Sequence, residues 1–237
     1  MARLARLYAP RIAQLVHAKL IHPFSTAPNS GQLMSQVQTW LSELVITHKV
    51  ALHGWILLDD GIFLLATPAN EQGVARVMQS IGRNLAATMR SGPVFAGRYH
   101  SALLEPGQWV IPALVWIEAC VGRSKGLDAP ELWPWSSAGI HTGASMGSVA
   151  WLTDHEDYWQ TGNTPFDRQA RYKEKFQEGL SMNEMGQIGA ALSGQWALGG
   201  EAFLQSLSVN ASRRVIPGKR GRPHKIQSGT KTATQEK

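Results

Sequence analysis

Three scarcities bound this 237-residue chain before any motif is read. It has one cysteine, Cys120, so neither an internal disulfide nor a cysteine-rich zinc site can form. Preceded by Val115-Trp116-Ile117, that thiol reads as a core group of a reducing compartment. No apolar run approaches the ~18–20 residues that a bilayer span requires; Asp59-Asp60, Pro112 and Glu118 cut the longest stretches. No membrane protein is expected. Acid is missing from the first 42 residues, where Arg3, Arg6, Arg11 and Lys19 imitate a transit peptide. Arg11, Gln14, His17 and Lys19 nevertheless interrupt every apolar stretch of the ~7–15 residues a secretory leader needs. A basic first strand is the simpler expectation.

Acid is scarce again at the other end. Residues 1–212 hold 15 Lys/Arg against 16 Asp/Glu, whereas residues 213–237 hold eight Lys/Arg against Glu236 alone. The net charge of +6 is therefore the charge of a tail. Tails of this composition are expected to be solvated and to seek polyanions, with a plain solubility tail as the competing reading.

The rest of the chain is 43% apolar, enough for one large domain or a medium domain with an appendage. Residues 12–20 are short, partly β-branched and bounded by Pro10 and Pro23, which predicts a strand. From Ser30, as cap, to about His48, apolar residues recur at helical spacing (Leu33, Val37, Leu41, Leu44). Two apolar runs, 49–58 and 62–67, flank Asp59-Asp60-Gly61, a hairpin signal because glycine accepts the positive φ of a tight turn. Asn70 is expected to cap a second helix reaching Met89, with Val74, Val77, Met78, Ile81 and Leu85 on one face. An extended segment over 94–104 and an apolar helix over 108–121 follow. This order predicts an α+β domain, 1–137, with an antiparallel sheet and helices on one face. Residues 138–164 read as a linker or long loop, 165–212 as a helical region, and 213–237 as a disordered basic tail. Arg168, Arg171, Lys173 and Lys175 read as a solvated helix face.

Within the tail, Lys219-Arg220-Gly221-Arg222-Pro223, followed by Lys225, resembles the core of an AT-hook. Two guanidiniums can lie along the narrow minor groove of A·T-rich DNA, glycine lets the backbone approach, and proline keeps the chain extended. A generic basic segment gripping any phosphate backbone is the alternative.

An ordered set of short segments then resembles the bacterial REP-associated tyrosine transposases. It comprises Met1-Ala2-Arg3-Leu4, Leu64-Leu65-Ala66-Thr67-Pro68, Met78-Gln79-Ser80-Ile81-Gly82-Arg83, Gly97-Arg98-Tyr99, Trp116-Ile117-Glu118, Trp133-Pro134-Trp135-Ser136-Ser137 and the tail motif. The resemblance implies a ferredoxin-like core and a tyrosine that attacks a DNA phosphodiester with help from a divalent metal. In that family two histidines flanking one hydrophobic residue on a central strand hold the metal; positions i and i+2 of a strand share a face. Gly61 and Phe63 stand at those positions here, so no metal ligand and no cofactor is expected. Mg²⁺ or Mn²⁺ enters only if Asp59 or Asp60 supplies replacement ligands.

Tyr99 aligns with the nucleophile. His48, His53 and the adjacent His100 are expected to pack rather than to catalyse. By the same resemblance Arg83, Arg90 and Arg98 would contact phosphates of single-stranded or hairpin DNA, with the tail residues from Lys219 to Lys225 reaching A·T-rich duplex. Trp40, Trp55 and Trp116 are expected in the core, and Trp133 and Trp135 at the domain's closing edge. The expected function is a DNA-binding relative of these transposases with impaired or lost strand cleavage, placed in the bacterial cytoplasm at the nucleoid. The alternative is an active transposase forming a 5′-phosphotyrosine link. A homodimer stays open.

Overall fold

The computed structural model describes residues 5–145 and 149–218. Four antiparallel strands, β1 (Gln14–Lys19), β2 (Val50–Leu58), β3 (Gly61–Pro68) and β4 (His100–Leu103), form one sheet in the order β2-β3-β1-β4. The hairpin falls where Asp59-Asp60 predicted it, with Leu58 opposite Gly61. The expected strand over 94–104 is shorter. Only His100–Leu103 joins the ladder, while Phe95 makes a single bridge to Leu20.

Strand alternation sends neighbouring residues to opposite faces, and both faces here are covered by helices. On the first face Val16, Ala18, Ile62, Leu64 and Ala66 pack under α1 (Ser30–Thr47) and α2 (Gly73–Met89), which supply Leu33, Val37, Leu41, Val77 and Ile81. The caps differ by a residue or two from expectation. Asn29, not Ser30, occupies the N-cap of α1; Asn70 accepts a bond from Gln72 N, an Asx turn placed just ahead of α2.

The sequence predicts helices on one face and leaves open whether the 165–212 region packs on the sheet. On the second face Ala13, Leu15, Ile56 and Leu65 lie under α3 (Val110–Glu118), and the chain adds α4 (Cys120–Lys125), α5 (Ala138–His141), α6 (Glu156–Trp159), α7 (Pro165–Glu178), α8 (Met182–Gly194) and α9 (Glu201–Asn210). Tyr158, Tyr172, Phe176, Ile188 and Leu192 from these later helices complete the same core. The stretch 138–164, read as a linker, thus carries α5 and α6 and buries His141 and Tyr158. Its Gly/Ser-rich composition hid this, because the helices in it span four residues each and show no period.

α3 lies so close to β2 that a Cβ on Gly54 would collide with Leu114 Cδ1. Glycine there leaves Leu114 in place, and a methyl would make that side chain shift; the backbone φ is ordinary. The Trp133–Ser137 block runs along the outer edge of β2. Leu57 N donates to Trp135 O, Trp133 Nε1 to Leu57 O and Trp55 N to Ser137 Oγ, so the edge strand is covered. Trp55 is fully buried, while Trp40 and Trp116 are half-buried against the two cores.

Residues 213–218 also depart from expectation. Val215 is buried with Leu7, Leu103 and Ala197, and Arg213 donates to Ala5 O and Gln195 O. This part of the basic tail is a docked segment. Residues 219–237, and with them Lys219, Arg220, Gly221, Arg222, Pro223 and Lys225, lie outside the described residues.

Candidate nucleic-acid interface

The hairpin positions come first, since the chemistry expected of a transposase depends on them. Gly61 and Phe63 both face α3, as strand alternation requires. The Phe63 ring stacks on His17 with centroids 4.0 Å apart and planes 4° from parallel, and meets Trp116 edge-on at 5.7 Å. A Cβ on Gly61 would already stand 3.0 Å from both Ala18 O and His17 Nε2. Burial lowers the pKa of His17 to about 4, against opposing help from Asp60, so the imidazole is neutral at pH 7. Asp59 is committed elsewhere: its carboxylate accepts from Ser25 N and Ser25 Oγ at 2.7 and 2.8 Å. Among the described residues no three His, Cys, Asp or Glu side chains converge as a metal site. The donor set at Gly61 and Phe63 does not fit a divalent metal.

Tyr99 lies on the other side of the sheet. It belongs to the core under α1 and α2, whereas Phe63 belongs to the core under α3. The two parts of the expected catalytic constellation are therefore separated by the thickness of the sheet. Tyr99 is buried, and burial raises its pKa above 10, offset in part by Arg6 and Arg98. The Arg6 guanidinium sits 3.6 Å from the Tyr99 ring centroid and reaches the Tyr99 carbonyl at 3.4 Å. His100 pairs with His17 across the ladder and so points away from Tyr99. It does not sit as a base for that hydroxyl.

His53 fills a packing role. It is the extra residue of a bulge in β2, and its nitrogens bond Thr153 O at 2.7 Å and Thr67 Oγ1 at 2.9 Å. Burial takes its pKa to about 4. His48 is the C-cap of α1.

The arginines behave differently. Arg98 lines a cleft of about 290 Å³ with Arg6, Gln79, Phe95 and Tyr99. Arg83 lines an adjoining cleft of about 460 Å³ with Gly82 and Phe95, and the two clefts share Met78, Gln79 and Phe95. Gly82 is what allows Phe95 onto α2, because a Cβ there would be 3.0 Å from the ring. Among the described residues that line it, the combined groove carries three arginines, the half-buried ring of Phe95, the ring of Tyr99 and no carboxylate. Arg83 is held by a 2.9 Å bond to Ser80 Oγ, one turn earlier in α2. Arg90 lies outside the groove, as the left-handed C-cap of α2 with φ 48°. Arg6, which composition marked only as one of several N-terminal basics, is the residue that sequence reasoning missed.

A second omission concerns Glu118. It is fully buried and accepts from Ser137 Oγ, from His141 Nδ1 at 2.7 Å and from Tyr172 OH at 2.7 Å. The residues come from four places in the chain, α3, the edge block, α5 and α7, which no spacing rule connects. Arg168 likewise is not part of a solvated face: it is buried and stacks on Trp159 at 3.9 Å.

The architecture defined by these elements is an antiparallel sheet layered with helices on both faces. No protein-family model matches the chain, and no curated protein matches it. Among solved structures, the REP-associated tyrosine transposase bound to a REP hairpin shares this fold, with a TM-score of 0.51 and 12% identity over 66% of this chain and 96% of that one.

Proposed function

We propose that this protein binds single-stranded or hairpin DNA in the arginine groove over α2 and does not cleave it through Tyr99. The carrying observation is the groove itself, where Arg6, Arg83 and Arg98 gather around Phe95 with no carboxylate among the described lining residues. Guanidiniums in such a cleft pair with successive phosphates, and the half-buried Phe95 ring offers an unpaired base an apolar contact. The shared fold with a transposase bound to a hairpin adds to the reading. Loss of cleavage follows from chemistry: glycine and phenylalanine have no atom to hold a metal, and a buried tyrosine with a raised pKa is a poor nucleophile. The basic segment from Lys219 to Lys225 adds affinity for A·T-rich duplex by minor-groove insertion.

The test uses the full chain and labelled hairpin DNA with Mg²⁺ or Mn²⁺. Retarded complexes without a covalent adduct on a denaturing gel are expected. An adduct that forms with the native chain and disappears in Tyr99→Phe contradicts the absence of cleavage. For the tail, Arg220→Ala with Arg222→Ala is expected to remove preference for A·T-rich duplex while Lys219 and Lys225 maintain general affinity.

A further inference from the structure

A cavity of about 440 Å³, within the range of small-molecule sites, opens between α5, α6 and α7 on the helical side of the molecule, away from the arginine groove. Its lining includes His141, Asp154, Trp159, Arg168 and Gln169. Two of these are buried polar groups with unmet hydrogen-bonding capacity. Arg168 is 4% exposed; Nη1 donates to Gly162 O at 3.2 Å, but Nε has no partner among the described residues. Among those residues no carboxylate lies within ion-pair distance of its guanidinium. Its helix neighbour Asp167 is engaged by Arg171 and by Asn163 N. A buried guanidinium without a counter-charge is costly, and proteins pair such groups.

His141 is 1% exposed and presents the same problem from the facing helix. A carboxylate can only accept, so the 2.7 Å contact with Glu118 places a proton on His141 Nδ1. Nε2 then has no partner among the described residues. With the proton on Nδ1, Nε2 presents a lone pair and can accept a hydrogen bond.

We infer that this cavity is a binding site for a phosphate group, either free phosphate or the phosphate of a nucleotide. A hydrogen phosphate carries acceptor oxygens for the Arg168 guanidinium and a P–OH that can donate to His141 Nε2, so it can serve both helices at once, whereas a carboxylate ion has no donor. The two oxygens of a carboxylate lie in one plane and suit one donor pair. Neither nitrogen is exposed, so binding turns the guanidinium toward the cavity and away from Trp159. Asp154, also in the lining, opposes the anion and sets the affinity below what Arg168 alone would give.

Thermal unfolding and tryptophan fluorescence of the full chain, at constant ionic strength, test the site with inorganic phosphate, acetate and deoxyadenosine monophosphate. Phosphate is expected to raise the midpoint saturably, with half-saturation near ~1 mM or below. Arg168→Met keeps an apolar stem on Trp159 and is expected to weaken binding at least ~10-fold; Asp154→Asn is expected to tighten it several-fold. Tighter binding of the nucleotide than of inorganic phosphate assigns the site to nucleotides, and equal binding assigns it to free phosphate. A response without saturation, an equal response to acetate, or a folded Arg168→Met that responds like the native chain overturns the inference. Should Arg168→Met fail to fold, Asp154→Asn decides alone: unchanged or weaker binding overturns it.

Discussion

The two faces of the sheet carry opposite kinds of polar chemistry. Under α1 and α2 the core is almost purely apolar, and the arginines stay at its rim, where a ligand can reach Arg6, Arg83 and Arg98. Under α3 and α7 polar groups are buried, and the one buried carboxylate among the described residues is spent on its neighbours: Glu118 accepts from Ser137, His141 and Tyr172. Charge at a rim can meet a polyanion, whereas charge satisfied in the interior fixes geometry. Gly61 and Phe63 thus fall on the face built for structure, and the groove proposed to take DNA lies on the face that holds Tyr99.

Breaking the structural face should have the largest effect. Glu118→Ala removes three accepted hydrogen bonds and leaves the hydroxyls of Ser137 and Tyr172 and the ring of His141 buried without that partner. A destabilisation of about 3–5 kcal/mol in urea unfolding is expected, with a smaller one for Glu118→Gln. Weakening of hairpin binding beyond the unfolded fraction in Glu118→Gln would show that the two faces are not separable.

Acid provides a graded version of the same experiment. His53 titrates near 4 in the folded chain and near 6.5 when unfolded, because burial disfavours its charged form. The unfolded chain therefore binds more protons between these values. Stability is intact above pH ~6.5 and falls as pH drops toward 4, by up to about 3 kcal/mol from this residue. His17, lowered to about 4 as well, acts in the same direction. Denaturation curves from pH 7 to pH 4 should steepen below 6.5, and His53→Gln should flatten them. Acid stability unchanged by His53→Gln would contradict the burial argument.

Gly54→Ala is the next smaller step. The new methyl meets Leu114 on α3, and an overpacking penalty of about 1–3 kcal/mol is expected. Because Gly54 faces α3 and the arginine groove lies over α2, affinity of the folded fraction for DNA should not change.

Legibility in the sequence followed how local the deciding interaction was. The hairpin at Asp59-Asp60-Gly61 and the helix carrying Val74, Val77 and Ile81 were readable because turn chemistry and a 3.6-residue period act over a few residues. The cover on the second face was not, since α5 and α6 are single turns in a Gly/Ser-rich stretch and owe their position to packing against α3 and α7. Of the expected DNA-binding arginines, Arg83 and Arg98 meet in one groove with Arg6, while Arg90 stands apart. Tyr99 and Phe63 were separable only in three dimensions, because their faces depend on how two distant stretches of chain join the sheet.

The most direct test compares the faces in a single titration of hairpin DNA against salt. Every phosphate that a variant no longer neutralises should reduce the slope of log affinity on log salt by about 0.7 for single strands or about 0.9 for duplex. Arg83→Ala with Arg98→Ala on the α2 side should weaken binding and flatten the slope by about the share of two phosphates. Arg123→Ala, which removes an exposed cation beside Trp116 on the α3 side, should leave both affinity and slope at the native values. The opposite pattern, native binding in the double variant and abolished binding in Arg123→Ala, would place the DNA on the α3 face and contradict the account.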